Sequence, residues 1–201
     1  MPQTKSEATI IHHRVKDCPI LTEGDVTPYT FIQLKFAHWD FFSERDIQDV
    51  DKAKQVLPGF RDKKIRMWIR ARRSYLYTLS YEAFMDELSR YYLPSSWATR
   101  IRVEMSRMRM EKNETFSSFC RRVRTHNIIL RDTTSHLDDT RLRHQLEAGF
   151  NKHLFEYYCD EGISDITNLK DWIKAVENAD GRLRSERKRF QKIAQEYNSG
   201  K

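Results

Sequence analysis

Seven histidines, three cysteines and twenty-nine carboxylates are the side chains of this chain that could ligate a metal or move a proton. Their spacing argues against both. A zinc site must close several Cys or His ligands on one ion, usually through tight pairs such as C-x-x-C. Cys120 and His126 stand six apart, as do His153 and Cys159, and neither pair has such a partner. Cys120 falls on the apolar stripe of a helical pattern and reads as a small core residue. His12 and His13 are neighbours in a polar stretch. Asp138 and Asp139 stand where a helix should begin, so they read as charges favouring the positive end of its dipole rather than as a catalytic pair. No G-x-S-x-G elbow, H-E-x-x-H, phosphate loop or dinucleotide fingerprint occurs. The sequence therefore predicts no catalytic residue, no metal, no cofactor, no small-molecule substrate and no enzyme.

Its cations are grouped differently. The chain carries a formal net charge of +7, and residues 182–201 contribute +5 of it. Arg182, Arg184, Arg187, Lys188, Arg189 and Lys192 surround Glu186 alone. A second cluster at 61–73 has seven basic residues and one acidic. Such groups can bind nucleic-acid phosphates with sequence-independent affinity, through release of counterions. The alternative for each is a solvated basic helix face. The six cations of 182–192 are the RNA-binding candidates.

The elements that must carry these residues read as helices. Glycine and proline number only six and five in 201 residues, too few for hairpin-rich folds. Aromatics at 12% are too many for a disordered chain. Residues 1–27 are polar apart from a short apolar patch at Ile10, Ile11 and Val15, and predict a flexible arm that could include an extended segment. Thr27-Pro28 opens a helix bearing Phe31, Leu34, Trp39 and Phe42. A second helix runs over about 49–57, with Val50, Ala53 and Leu57 on one face. A third covers 62–75, and a fourth follows the N-cap Ser80. Pro94-Ser95-Ser96 is the clearest break, dividing a lobe at 28–94 from one at 95–180, with a basic helical tail at 181–201. Beyond it, Phe116, Phe119, Cys120, Val123, Asn127 and Leu130 form the clearest amphipathic helix. Ser135 has capping-box spacing for the next helix. The last helix starts at about Asn168 and places Trp172, Val176, Leu183 and Phe190 on one side. The predicted fold class is all-α. Trp68, Phe84 and Leu88 belong inside the first lobe; Phe116, Phe119, Val123, Leu142 and Leu146 belong inside the second. Tyr91, Tyr92, Trp97, Tyr157 and Tyr158 are candidate contact anchors. The three cysteines, odd in number and irregularly spaced, point to a reducing compartment such as the cytoplasm. No stretch is apolar enough to span a membrane.

Over residues 20–180 the order of motifs resembles the Gag capsid region of gypsy-type LTR retrotransposons, particularly the fungal form. The first half carries Trp68 and then Leu79-Ser80-Tyr81-Glu82-Ala83-Phe84. The second half is similar to the capsid major homology region at Met110, Glu111, Glu114, Phe116, Phe119, Arg122 and Val123. The segment 142–150 is similar to a Phe/Leu-x-x-Gly-Leu motif, and 21–28 to the lead-in of fungal members. Met110 and Glu111 stand where the family has Gln and Gly, and no zinc knuckle follows. The resemblance implies capsid-like N-terminal and C-terminal lobes. It also implies self-assembly into a virus-like shell and packaging of element RNA without sequence preference. A monomeric helical nucleic-acid-binding module and a domesticated Gag-derived host protein are the alternatives.

Overall fold

The computed structural model describes residues 6–199, so Met1–Lys5 and Gly200–Lys201 lie outside the described residues. Among these the fold is all-α apart from one two-stranded ladder. The chain divides into two compact units, with the boundary in the sequence between Trp97 and Ala98.

The first unit contains β1 (Ile10–Ile11), β2 (Ile20–Leu21), α1 (Pro28–Arg45), α2 (Asp49–Val56), α3 (Lys63–Leu76) and α4 (Tyr81–Tyr92). Local chemistry sets the helix starts. The Thr27 hydroxyl accepts the N–H of Thr30 at 3.1 Å, with Pro28 in the first helical position. Asp62 accepts the N–H groups of Lys64 and Ile65 at 2.8 and 3.0 Å. Ser80 accepts that of Ala83 at 3.2 Å. Each cap satisfies donors that the first turn leaves free. The core is rich in rings: Phe31, Phe42, Phe60, Trp68, Tyr81 and Phe84 bury together with Leu34, Ile65 and Leu88.

Two expectations fail in this unit. Over its described part, the stretch taken for a flexible arm is packed. Strands β1 and β2 pair antiparallel, Ile10 opposite Leu21. Ala8 and Leu21 are buried in the core, and Leu21 bridges to Phe60. Gly59 allows this approach, because a Cβ there would strike the Pro19 carbonyl. In α2 the buried face is Ala53 and Val56, whereas Val50 is 72% exposed.

The second unit contains most of α5 (Trp97–Arg107), then α6 (Phe116–Ile129), α7 (Asp139–Glu147), α8 (Lys152–Asp160) and α9 (Leu169–Ser199). Phe116, Phe119, Val123, Leu142, Leu146, Leu154, Trp172 and Val176 are among its buried apolar residues. Thr115 caps α6 through the N–H of Ser118 at 3.2 Å. The cap of α7 is Asp138, which accepts the N–H of Arg141 at 2.9 Å; Ser135 lies in the preceding turn. Between α6 and α7, Asn127 does the holding. Its amide donates to the Leu137 carbonyl at 2.9 Å and accepts the Leu137 N–H at 2.7 Å.

Helix α9 has no break between its packed and basic parts. Trp172, Val176, Ala179 and Asp180 are buried, and from Ser185 to Tyr197 every residue is exposed. Phe190, expected on the packed side, is 71% exposed and lies within this wholly exposed stretch. Among the described residues no helix is long and apolar enough to cross a membrane.

Candidate functional site

The residues of the homology-like motif converge on the turn between α5 and α6. Arg122, one and a half turns into α6, reaches back to Glu114. Its Nε donates to Oε1 at 2.8 Å and its Nη2 to Oε2 at 2.7 Å. The same Nη2 donates to the Arg109 carbonyl at 3.0 Å, and Glu114 Oε2 also accepts the N–H of Glu111 at 2.8 Å. A forked, charge-assisted pair of this kind is stronger than a neutral hydrogen bond and fixes direction as well as distance. These bonds from Arg122 hold the Glu114 carboxyl below the usual carboxylate range, against the opposing effect of burial.

A second layer comes from α9. Asp180 Oδ2 accepts the N–H of Phe116 and the Nε of Arg184, both at 2.9 Å. Arg184 then donates to the carbonyls of Asn113 and Glu114, the first at 3.0 Å. Asn113 sits in the left-handed region at φ 69°. On the other side the N–H of Met110 donates to the Gly149 carbonyl at 2.9 Å. The Asn151 amide approaches Met110 Sδ at 3.8 Å, the weak acceptance that a thioether permits. Gly149 is required here, since a Cβ would enter the Phe119 ring. Met110, Glu114, Phe116, Phe119, Arg122 and Val123 thus form one braced turn over one buried core. Sequence reasoning missed Asp180, Arg184 and Gly149 as parts of it. The Asp180–Arg184 spacing of four was a legible sign.

The RNA-binding candidates separate into two sets. Arg187, Lys188, Arg189 and Lys192 lie on the exposed part of α9. Lys192 lies 3.8 Å from Glu196, and Arg182, also exposed, reaches the Tyr157 hydroxyl at 3.4 Å. Arg184 is a correction to the picture of a free solvated cation: its guanidinium donates to Asp180 and to the Asn113 and Glu114 carbonyls of the turn.

The ring anchors also divide. Tyr91 is exposed and stacks on Trp68, with centroids 5.5 Å apart. Tyr92 donates to Asp62 at 3.2 Å, Trp97 is partly buried against the first core, and Tyr157 is half-buried. Tyr158 is no anchor: it is buried, donates to Glu147 at 2.6 Å and accepts from Arg143 at 3.0 Å.

In the first unit, the cluster at 61–73 lies along α3 and its lead-in. Arg72 pairs with Glu87 at 3.3 Å, while Arg61, Arg66, Arg70 and Arg73 line a cleft with Lys54. In the same unit His38, which sequence reasoning did not single out, is fully buried. It shares a 2.9 Å hydrogen bond between its Nδ1 and the Tyr81 hydroxyl. Its Nε2 has no partner among the described residues. Burial, helped by the charge of His12, lowers its pKa from 6.5 to about 3, so the ring is neutral in the fold. Cys120 is buried, in keeping with a core role, and burial raises its thiol to about 11. No group of three or more His, Cys, Asp or Glu placed to hold a metal occurs among the described residues.

Comparison with protein families, curated proteins and solved structures finds no match to this chain.

Proposed function

We propose that the protein is a structural protein of the capsid type, which self-associates into a shell and binds RNA, as its resemblance to gypsy-type Gag capsid regions implies. The observation that carries this reading is the braced turn. Six residues picked out by motif order meet at one place, and Glu114 and Arg122 make the kind of polar brace that the motif implies. The rest of the molecule is compatible with a mechanism of contact rather than chemistry. Two compact helical units supply two bodies, each with its own surface. Head-to-tail contacts between copies close into rings, and isologous contacts make dimers. Many weak contacts add up to a shell through avidity. The exposed cations Arg182, Arg187, Lys188, Arg189 and Lys192 project from α9 as an RNA-binding comb. In this reading the protein acts in the cytoplasm and catalyses nothing.

One observation favours a second reading. The exposed basic part of α9 would serve a monomeric nucleic-acid-binding module equally well. Light scattering against salt, at tens of micromolar protein, with and without a short RNA, separates the two. Salt or RNA should raise the mass many-fold, because screening shortens charge repulsion to about 10 Å at 0.1 M. A 24.2 kDa monomer under every condition, with salt-sensitive RNA binding, transfers the assignment to the module. A monomer that binds no RNA rejects both.

A further inference from the structure

One cleft in the first unit opens over the edge of its core, with Phe60 and Ile69 in its lining. Lys54 of α2, Arg61 of the lead-in, and Arg66, Arg70 and Arg73 of α3 line it, together with Tyr77. Its volume is about 450 Å³, and among the described residues no carboxylate lines it. Positions 66, 70 and 73 are i, i+4 and i+7 on one helix face, a row of three guanidinium groups about 10 Å long.

The walls are held in place. Phe60 and Ile69 at the base are buried, and the N–H of Arg61 donates to the Leu21 carbonyl at 2.9 Å. Arg73 Nε donates to the Tyr77 hydroxyl at 2.7 Å, with the guanidinium 5.3 Å from that ring's centre, which fixes the direction of the fork. Lys54 pairs with a carboxylate, Asp51 at 3.2 Å in a half-exposed pair. Among the described residues Arg61, Arg66, Arg70 and Arg73 make no ion pair.

Five like charges around so small a volume repel one another, and an anion placed between them relieves the repulsion. Guanidinium forks match phosphate oxygens in bidentate geometry. A phosphate offers its oxygens to several forks at once, where a carboxylate offers two, so converging cations favour phosphate. We infer that this cleft binds a short run of phosphate groups, supplied either by consecutive phosphates of a single RNA strand or by a free polyphosphate. The inference is independent of shell assembly and of the cations on α9.

The test uses the full chain, inorganic tripolyphosphate in a calorimetric titration, and a labelled ten-nucleotide oligouridine in anisotropy titrations at two salt concentrations. The variants are R66Q/R70Q in the cleft and R187Q/R189Q on α9. All four side chains are exposed, and circular dichroism checks that the fold is kept. R66Q/R70Q should weaken tripolyphosphate at least tenfold while R187Q/R189Q leaves it unchanged, which identifies a free polyphosphate as sufficient. If tripolyphosphate does not bind but R66Q/R70Q lowers the salt slope for oligouridine by about 1.4, at 0.7 per lost contact, the RNA strand is the source. Unchanged binding of both probes by R66Q/R70Q overturns the site, as does a wild-type chain that binds neither. Equal displacement of tripolyphosphate by oligoglutamate overturns the phosphate assignment.

Discussion

The two units solve the same problem, holding short helices together, by different physics. The first relies on rings. Phe42, Phe60, Tyr81 and Phe84 meet edge to face, and His38 sits among them as a neutral ring. The second has its own aromatic cluster around Trp172, but the turn leading into α6 is fixed by ions: Arg122 on Glu114, and Arg184 between Asp180 and two carbonyls. A ring core tolerates salt and suffers when a buried group must charge. An ionic brace tolerates neutral pH and suffers when its carboxylate is protonated. The difference teaches that one chain can carry two stability profiles, and it can be broken one unit at a time.

The largest effect belongs to packing in the second unit. Phe119 is fully buried beneath the braced turn and beside Gly149. Phe119→Ala should cost about 3–5 kcal/mol, read from urea unfolding, the range for truncating a buried ring. A loss below 1 kcal/mol would show that the turn, rather than the ring, organises this unit. Next comes the brace. Arg122→Ala leaves the Glu114 carboxylate, 10% exposed, without its forked partner. The expected cost is about 2–3 kcal/mol, less than for a fully buried pair because Arg122 itself reaches water. Arg122→Lys should recover only part of it, because an ammonium cannot make the fork.

Acid should then separate the units. His38 is neutral when folded and charges readily when unfolded, so its contribution is complete above pH 6.5 and is lost as pH falls toward about 3. By pH 5 the first unit should lose about 2 kcal/mol, at 1.36 kcal/mol per pH unit. Glu114 has the opposite starting point, a carboxyl lowered from 4.5. Its contribution is present above 4.5 and goes only as pH drops through its folded value. Hydrogen exchange followed by mass spectrometry should therefore show protection in α1 and α4 falling between pH 6.5 and 5, while protection at the start of α6 persists. His38→Leu should flatten the first trend; simultaneous loss in both regions would contradict the assignment.

Much of the helical fold was legible because caps and periodicity are local. Thr27, Ser80, Thr115 and Asn168 announce helix starts by side-chain chemistry alone. Other features depend on distant partners. Strands β1 and β2 are two residues each, too short for an alternating pattern, and the burial of Ala8 and Leu21 exists only because α1 and Phe60 are there to cover them. Ser135 and Asp138 both offer a cap, and only the closure made by Asn127 on Leu137 places the start at Asp138. At the candidate site, Glu114 and Arg122 were legible by motif order. The role of Arg184 was not, since its two carbonyl partners lie some seventy residues earlier. Charge counting placed it with Arg187 and Arg189, because composition cannot tell a cation committed to a turn from one facing solvent.

That ambiguity supports the smallest and most discriminating prediction. Arg184 and Arg187 are neighbours on α9 and differ only in what surrounds them. Arg184→Ala removes bonds to Asp180 and to the carbonyls before α6, and leaves Asp180 to hold the Phe116 N–H alone. A loss of about 1 kcal/mol in urea unfolding is expected, modest because the arginine is partly solvated. Its RNA salt slope should match wild type. Arg187→Ala removes an exposed side chain and should stay within about 0.5 kcal/mol. If α9 contacts RNA, its salt slope should drop by about 0.7. The two residues would then exchange places on two axes, stability and salt dependence. Equal slopes for both variants would remove Arg187 from the RNA surface, and equal stabilities would mean that the turn is held by Glu114 and Arg122 without help from α9.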